Sequence, residues 1–581
     1  MIENNIGIFK NFIGISTLII YLIVIIFLVK NKKRDISFIF VYIAIVIASI
    51  PAFYNIIFSN HDAAVHMGRI AGIASTIKTG QFPARIYTWV RNSYGWAAGI
   101  MYPSLFLYIP ALFGIILNMS TQESLFLVTN TYIILVHIFT AEFMYITCKE
   151  IFNDRKSGTV GAIFITLCSY RLYDAYGRGA YGELTAFMSM SLVVLGLYYI
   201  YSGKTNKWWI LTIAITFILE SHLISIFIVA VEMIIFFMVF IKKTFDKKIF
   251  LTLIKSFVFI VLMNLMLLVP IINFLSIGIK NTSVGKYVAD TSVLDSLNNL
   301  NGIGLLFIVI AAITLILLIY YYKSEKETKE YKVSLYCFIF SLVAYAFSTS
   351  KIISFIIHHL TFFNNIYRNI QFSYRWWCVA ITLMTISASY LIVKFLSSIK
   401  VLQKIIITVC FSATILLSIN TFRLQLYNFT HQTLYNHIRP NMDWSDYSYE
   451  DTSMDYENVV NNKLYSNSPS INILKYDKKG LTVTFKYKYN SYYENAYVVC
   501  PLFYYPVYEA VDNKGNKLNI SKVENHLLGV HLSNNNKSGS VTVRYVGYPY
   551  WKFIDIISYL SIVLFIFVVL KENCPKKMVK S

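Results

Sequence analysis

Charge is scarce in this chain: Asp, Glu, Lys and Arg together supply 14% of its residues, against 56% hydrophobic ones. Apolar runs of about 18 residues or more, the length that crosses a hydrocarbon core, recur along it. That pattern excludes a soluble globular protein and predicts a polytopic membrane protein. Carboxylates are the scarcer sign, 30 against 51 Lys and Arg, which leaves a formal charge of +21. In a soluble protein this excess would point to nucleic acid. Here the basic residues gather in short loops between apolar runs, as the positive-inside rule requires, so the charge reports topology and no nucleic-acid partner is expected.

Cysteine is also sparse. Of seven, Cys148, Cys168, Cys337, Cys378 and Cys410 lie in or at the ends of apolar runs, Cys500 stands alone in a polar region and Cys574 is in the tail. Neither a disulfide framework nor a metal-type spacing is present. The first apolar run, 12 to 30, lacks a small-residue cleavage site and ends in Lys30-Asn-Lys32-Lys33-Arg34, which marks a membrane helix, not a removed signal peptide.

Basic loops at 30–34, 149–156, 204–207, 242–248, 323–332, 394–404 and 571–580 are expected on the cytoplasmic side. That assignment puts 58–100, 170–183, residues near 221, 275–301, 351–374 and 424–552 outside. Segment 101–119 is apolar but interrupted by Pro103 and Pro110, and a full crossing there would invert every later loop. It is therefore expected to dip into the membrane, buried by protein. The run 207–241 is too long for one helix across a core of ~30 Å and should turn near Ser221-His222. Together these give about 13 crossings plus the dipping segment.

Residues 424–552 change character. The alternation Leu481-Thr-Val483-Thr-Phe485-Lys-Tyr487 and the run Val541-Thr-Val543-Arg-Tyr545 predict strands, and Asp512–Gly515 and Asn534–Gly539 predict turns. The expected fold is thus a mainly α polytopic bundle with an exterior C-terminal β-sandwich. Its divisions are an extra N-terminal helix with its basic loop (1–35), a membrane domain (36–423), the β-rich domain (424–552) and a C-terminal membrane helix with a basic tail (553–581). The acidic, Tyr-rich stretch 443–457 has no strong periodicity and reads as an irregular lid or linker.

The chemistry-bearing residues fall on the outer side. Asp62, His66 and Arg69, spaced i, i+4, i+7, would share one face of a helix. A solvated interfacial face is the plain alternative. Arg69, Arg85 and Arg91 make the first outer loop basic and aromatic, suited to a phosphate-bearing group or to anchoring among headgroups. A Gly-rich turn carries Arg178 and leads to Glu183 at a helix start, where a carboxylate is favoured by the dipole and could ligate a cation. His222 lies at the hairpin tip, and Arg375 opens a late helix beside Trp376 and Trp377. His358 and His359 have no recognisable partners and no assigned role.

The order of these elements resembles the GT-C superfamily of membrane glycosyltransferases, over roughly residues 36–400 by layout and short signatures. The signatures are the acidic outer loop at Asp62, Ile100-Met-Tyr102-Pro103-Ser-Leu105, the turn Cys148–Arg155, and Arg178–Glu183. The chain is also similar to bacterial membrane proteins labelled 6-pyruvoyl-tetrahydropterin synthase-related, although pterin chemistry itself is excluded because it needs a metal-ligand cluster and the histidines here are dispersed. It departs from the superfamily in having His61-Asp62 where many members carry two acidic residues, and a lone Glu183 in place of an acidic pair.

The resemblance implies sugar transfer from a polyprenyl-phosphate donor to a cell-envelope glycan or lipid acceptor at the outer face of the bilayer. Asp62 would be the base, with His66 tuning it or sharing its proton and Glu183 positioning the acceptor. Arg69, Arg85, Arg178, His222 and Arg375 would bind substrate, the arginines steadying the departing phosphate. No metal ligand set is assigned, and a divalent cation stays an open alternative at Glu183. Two other classes fit the composition: a lipid or glycan transporter, and a non-catalytic envelope scaffold. Transporters usually place ionisable residues at mid-membrane and repeat their halves, neither of which dominates here.

Overall fold

The structure, a computed structural model, describes residues 11–54, 62–118, 122–279, 303–349, 359, 370–400, 446–449, 452, 461–491, 496–532 and 537–573. Its helical part begins with α1 (Phe12–Lys30) and α2 (Phe38–Ser49), then α3 (Ala63–Lys78), α4 (Tyr108–Ile116), α5 (Gln122–Phe152), α6 (Arg155–Thr166) and α7 (Tyr181–Tyr201). It continues with α8 (Trp209–Leu219), α9 (Leu223–Val239), α10 (Lys247–Met263), α11 (Leu265–Ser276), α12 (Leu305–Glu325), α13 (Lys329–Thr349) and α14 (Trp377–Ser398), and α15 (Trp551–Asn573) closes the chain.

Among the described residues, seven helices are long and apolar enough to cross a membrane, or eight if α10 and α11, bent by 65°, form one broken span. The bend falls at Asn264, whose side-chain amide donates back to the Ile260 carbonyl at 2.6 Å and across to Thr216 Oγ1 at 3.2 Å. In α1 and α15 only 17% of the most apolar window is buried, so Ile, Leu and Phe side chains face outward, as lipid-facing helices require. The chain is a membrane protein. The crossing expected between 404 and 424 lies outside the described residues.

The two irregular segments take definite form. α4 has nine residues and spans only about 14 Å, half a hydrocarbon core, with Leu112, Phe113 and Ile116 exposed. The run 207–241 breaks at 220–222 into α8 and α9, as its length requires. The basic loops converge at one end: Arg155 donates to the Lys32 carbonyl at 3.0 Å, Lys394 pairs with Glu325 at 2.7 Å, and Trp208 donates to Glu572 at 2.7 Å.

At the opposite end sits the β domain. One sheet runs β1 (Tyr465–Ser466), β4 (Tyr497–Phe503), β8 (Leu527–His531), β7 (Ile520–Lys522). The other runs β2 (Ile471–Lys479), β3 (Thr482–Tyr489), β9 (Ser538–Tyr545), β5 (Tyr508–Asp512), β6 (Lys517–Leu518). All pairings are antiparallel. Both predicted strands are present, as β3 and β9, paired Val483 to Val543 and Phe485 to Val541, with these four side chains fully buried between the sheets. The expected turn at 512–515 joins β5 to β6, with Gly515 at φ +84°, while 533–536 of the second lie outside the described residues.

The sandwich core continues into the first loop of the membrane domain through Ile86, Tyr94, Ala97 and Ile100. Phe503 donates its N–H to the Tyr94 carbonyl at 2.8 Å, and the Tyr505 hydroxyl donates to the Gly95 carbonyl at 3.1 Å.

Candidate functional site

At the end of the bundle that carries the sandwich, three separate chain segments bring acidic and basic groups together. The first is the start of α3. Asp62 occupies its N-cap position, yet its side chain makes no capping hydrogen bond. A capping aspartate would contribute about 1 kcal/mol, so this carboxylate is directed elsewhere. Its Oδ2 lies 3.6 Å from Arg178 Nη2, and the Asp62 backbone N–H donates to the Arg178 carbonyl at 2.9 Å. The side chain is 47% exposed.

The second segment, Ser169 to Glu183, is a short helix followed by a π-helical turn, Tyr173–Arg178. Such wide turns are rare and frequently occur at functional sites. Asp174 Oδ1 accepts from Arg178 Nη1 at 2.9 Å within this turn. Gly179 then takes φ +67°, a left-handed conformation that costs a glycine little, and the chain re-enters helix as α7. Arg171 and Tyr176 hold the segment against α5: Arg171 donates to His137 Nδ1 at 2.7 Å, and His137 Nε2 lies 2.9 Å from the Tyr176 hydroxyl.

The third segment is the start of α14. Arg375 Nε lies 3.1 Å from Glu183 Oε2, the same oxygen that Arg178 Nη1 reaches at 3.2 Å. The Tyr170 hydroxyl donates to Glu183 Oε1 at 2.6 Å, and the Cys378 thiol lies 3.5 Å from that oxygen. Phe372 and Tyr374 lay their rings against the two guanidinium groups. The cluster is thus layered: Asp174 and Glu183 are buried at its base, the arginines sit between, and Asp62 alone among these three carboxylates reaches solvent.

Burial and the neighbouring Glu183 push the Asp174 carboxyl well above the usual carboxylate range. Across the cluster, Asp62 at the exposed rim and Glu183 at the buried base set their carboxylates against the guanidinium groups of Arg178 and Arg375. Asp174 Oδ2 has no hydrogen-bond partner among the described residues, consistent with a carboxyl group in place of a carboxylate. Asp174, Glu183 and Cys378 present three ligand atoms within 4.8 Å of one another. That set fits a divalent cation poorly, because the ion would sit against two guanidinium groups already bonded to the same carboxylates. The structure therefore weighs against the cation considered at Glu183.

Several sequence expectations change here. The Asp62–His66–Arg69 face is not solvated: His66 is 2% exposed and Arg69 is fully buried. Arg69 was expected to meet a phosphate. Its Nη2 instead donates to the carbonyls of Tyr102 and Pro103 and to Ser104 Oγ, with the Tyr102 ring 3.8 Å beneath it. Its Nη1 donates to His66 Nδ1 at 3.0 Å, and since a guanidinium can only donate, His66 is the neutral imidazole with its proton on Nε2. Burial first, and the Arg69 charge second, hold the His66 pKa well below its ordinary value. A neutral ring enclosed by Tyr102 and Tyr181 is poorly placed to share the proton of Asp62.

Arg85 is not in the cluster. It forms a bidentate pair with Asp555 of α15 and packs over Trp551, which ties the first loop to the C-terminal helix. Glu183, expected to face an acceptor, is 1% exposed and holds the two arginines in place. His222 is buried behind Tyr102, its ring 6.0 Å away and its Nδ1 2.8 Å from Ser225 Oγ. Asp62, Arg178, Glu183 and Arg375 are brought together. Asp174 was given no role, although its spacing of four from Arg178 was visible in the sequence.

The expected lid residues 446–449 do approach this end. Trp96 Nε1 donates to the Asp446 carbonyl at 2.9 Å, and Tyr447 packs on Trp96 and Tyr102 at ring separations of 6.4 and 5.9 Å.

No protein-family model and no curated protein matches the chain. Among solved structures it is similar to the arabinofuranosyltransferase AftD from mycobacteria, at 12% identity and a TM-score of 0.41 over 68% of this chain. The match spans 27% of AftD, about a quarter of its length. None of these comparisons supports the 6-pyruvoyl-tetrahydropterin synthase-related label.

Proposed function

We propose that the chain is a membrane glycosyltransferase of the GT-C type that moves a sugar from a polyprenyl-phosphate donor to a cell-envelope acceptor. The observation that carries this reading is the Asp62 carboxylate: uncapped, half exposed and held beside Arg178 at the rim of a buried ionic cluster. Asp62 takes the proton of an acceptor hydroxyl as that oxygen bonds to the anomeric carbon. The bond from that carbon to the phosphate oxygen breaks, and the polyprenyl phosphate leaves with the electron pair. The positive field of Arg178 and Arg375 favours this departure, because charge develops on the phosphate while the protein dipoles are already fixed.

The outer face of the membrane is the reaction side in this reading. Its support is the convergence of the lysine-rich loops at the opposite end of the bundle. Mass spectrometry of envelope glycans in a deletion strain tests the proposal. A glycan should lose a sugar, wild-type protein should restore it, and Asp62→Asn should not. An unchanged glycan profile in the deletion strain contradicts the proposal.

A further inference from the structure

A cavity of about 510 Å³ opens between α7, α9, α13 and α14. Along α7 it runs from Met190, about 10 Å of helix from Glu183, to Tyr201, about 27 Å of helix from it. Its volume falls within the range of about 300–1,000 Å³ typical of ligand sites. Its walls are apolar, supplied by Val194, Leu197, Phe236, Phe340, Val379 and Leu383. Two acids line it as well: Glu327, at the exposed mouth, pairs with Lys332 at 2.9 Å, and Glu232 lies deeper. Glu232 lines the cavity from the middle of α9, is 8% exposed, and neither of its carboxyl oxygens has a hydrogen-bond partner among the described residues.

A second, open cavity of about 760 Å³ adjoins the first at the basic end of the bundle. The two share Tyr201, Ser202, Lys243 and Lys329, and the second adds Lys242, Lys248 and Asp246, whose carboxylate is engaged in capping α10. Lys243 and Lys329 are exposed, and Lys329 Nζ is held 4.5 Å over the Tyr198 ring. A lysine vestibule thus leads into an apolar chamber containing one unsatisfied polar group. That sequence of environments matches an amphiphile with an anionic head, a polar linkage and a hydrocarbon tail.

We propose that this is a binding site for an anionic phospholipid of the membrane leaflet at the basic end. The phosphate seats between Lys243 and Lys329, one acyl chain fills the apolar chamber, and Glu232 hydrogen-bonds a carbonyl or hydroxyl of the lipid. Charge complementarity selects the head, since each lysine near a membrane surface attracts acidic lipid. The unpaired Glu232 selects a lipid over a plain hydrocarbon, because a buried carboxyl group without a partner is costly and a purely apolar chain offers it none. This inference does not depend on the proposed sugar transfer.

The test uses the full chain reconstituted in phosphatidylcholine vesicles, with a trace of phosphatidylglycerol bearing a photoreactive group on one acyl chain. Irradiation should label the peptides containing Phe236 and Phe340. Labelling should fall about tenfold or more in the Lys243→Glu/Lys329→Glu double variant, which alters only the exposed mouth, and in Val194→Trp, which fills the chamber. Asp62→Asn should label like wild type. Equal labelling by a phosphatidylcholine probe, displacement by inorganic phosphate, or full labelling of the lysine double variant would overturn the proposal. If Val194→Trp fails to fold, the lysine variant and the choice of probe decide it.

Discussion

Arg178 grips Asp62 twice: its carbonyl accepts the Asp62 backbone N–H at 2.9 Å, and its Nη2 stands 3.6 Å from the Asp62 carboxylate. Residues 116 positions apart are thereby fixed as one unit, and the same guanidinium reaches Asp174 and Glu183 behind them. Replacing Arg178 with Gln should leave Asp174 without its cation and Glu183 with Arg375 alone. Sugar transfer should fall by about 100-fold or more, the scale of losing one electrostatic stabiliser. A transfer assay with Arg178→Gln within threefold of wild type, on the order of half a decade, would remove Arg178 from the account.

Glu183 is predicted to matter for stability as well as activity. Its Oε2 meets both Arg178 and Arg375, and Glu183→Gln removes the one buried anion they share. Breaking a buried pair on one side costs about 3–5 kcal/mol. Thermal unfolding of purified Glu183→Gln in detergent should occur at a clearly lower temperature than wild type. Retention of the wild-type midpoint would show that the cluster carries no such coupling.

How much of this was visible in the sequence differs from part to part. Alternation in 481–487 and 541–545 located β3 and β9, because a strand with one buried face must alternate. Length alone required a break near 221, since no single helix of that size fits a bilayer. The gathering of Asp62, Arg178, Glu183 and Arg375 was harder. Their shared side followed from loop charges, but their contacts link segments more than a hundred residues apart. The partners of Arg69 and Arg85 are not legible in the sequence for a physical reason: an arginine satisfied by backbone carbonyls or by Asp555 looks, in one dimension, like an arginine awaiting phosphate. Asp174 was hidden inside a Gly- and Tyr-rich turn whose π-helical geometry sequence periodicity does not reveal.

Acid should weaken the loop that carries α3 through His66, which lies outside the helices long and apolar enough to cross a membrane. Its folded-state pKa is held well below the ordinary value of about 6.5 by burial and by Arg69. The stability it contributes is therefore complete above pH ~6.5 and is lost as pH falls toward the folded value, by up to about 1.4 kcal/mol for each unit. His66→Asn keeps an acceptor for Arg69 and cannot titrate. The difference in melting temperature between wild type and His66→Asn should shrink as pH drops from about 7 to 5. A constant difference across that range would contradict a neutral His66.

Chelation should not matter. Because Arg178 and Arg375 already pair with Asp174 and Glu183 and their positive charge opposes a cation there, transfer activity should be the same before and after dialysis against EDTA. Loss of activity with EDTA and its recovery on adding a divalent metal would refute the charge balance drawn for the cluster.

The central claim concerns Asp62 as the base, and one assay addresses it most directly. Purified wild-type and Asp62→Asn protein are reconstituted in liposomes with the lipid-linked sugars and the envelope acceptor extracted from the same cells, and covalent product is counted. Asp62→Asn should be folded, membrane-inserted and slower by about 10²–10⁴-fold, the contribution of a positioned general base. An Asp62→Asn protein that transfers sugar at the wild-type rate, or a wild-type protein that moves the lipid across the bilayer without forming product, would contradict the account.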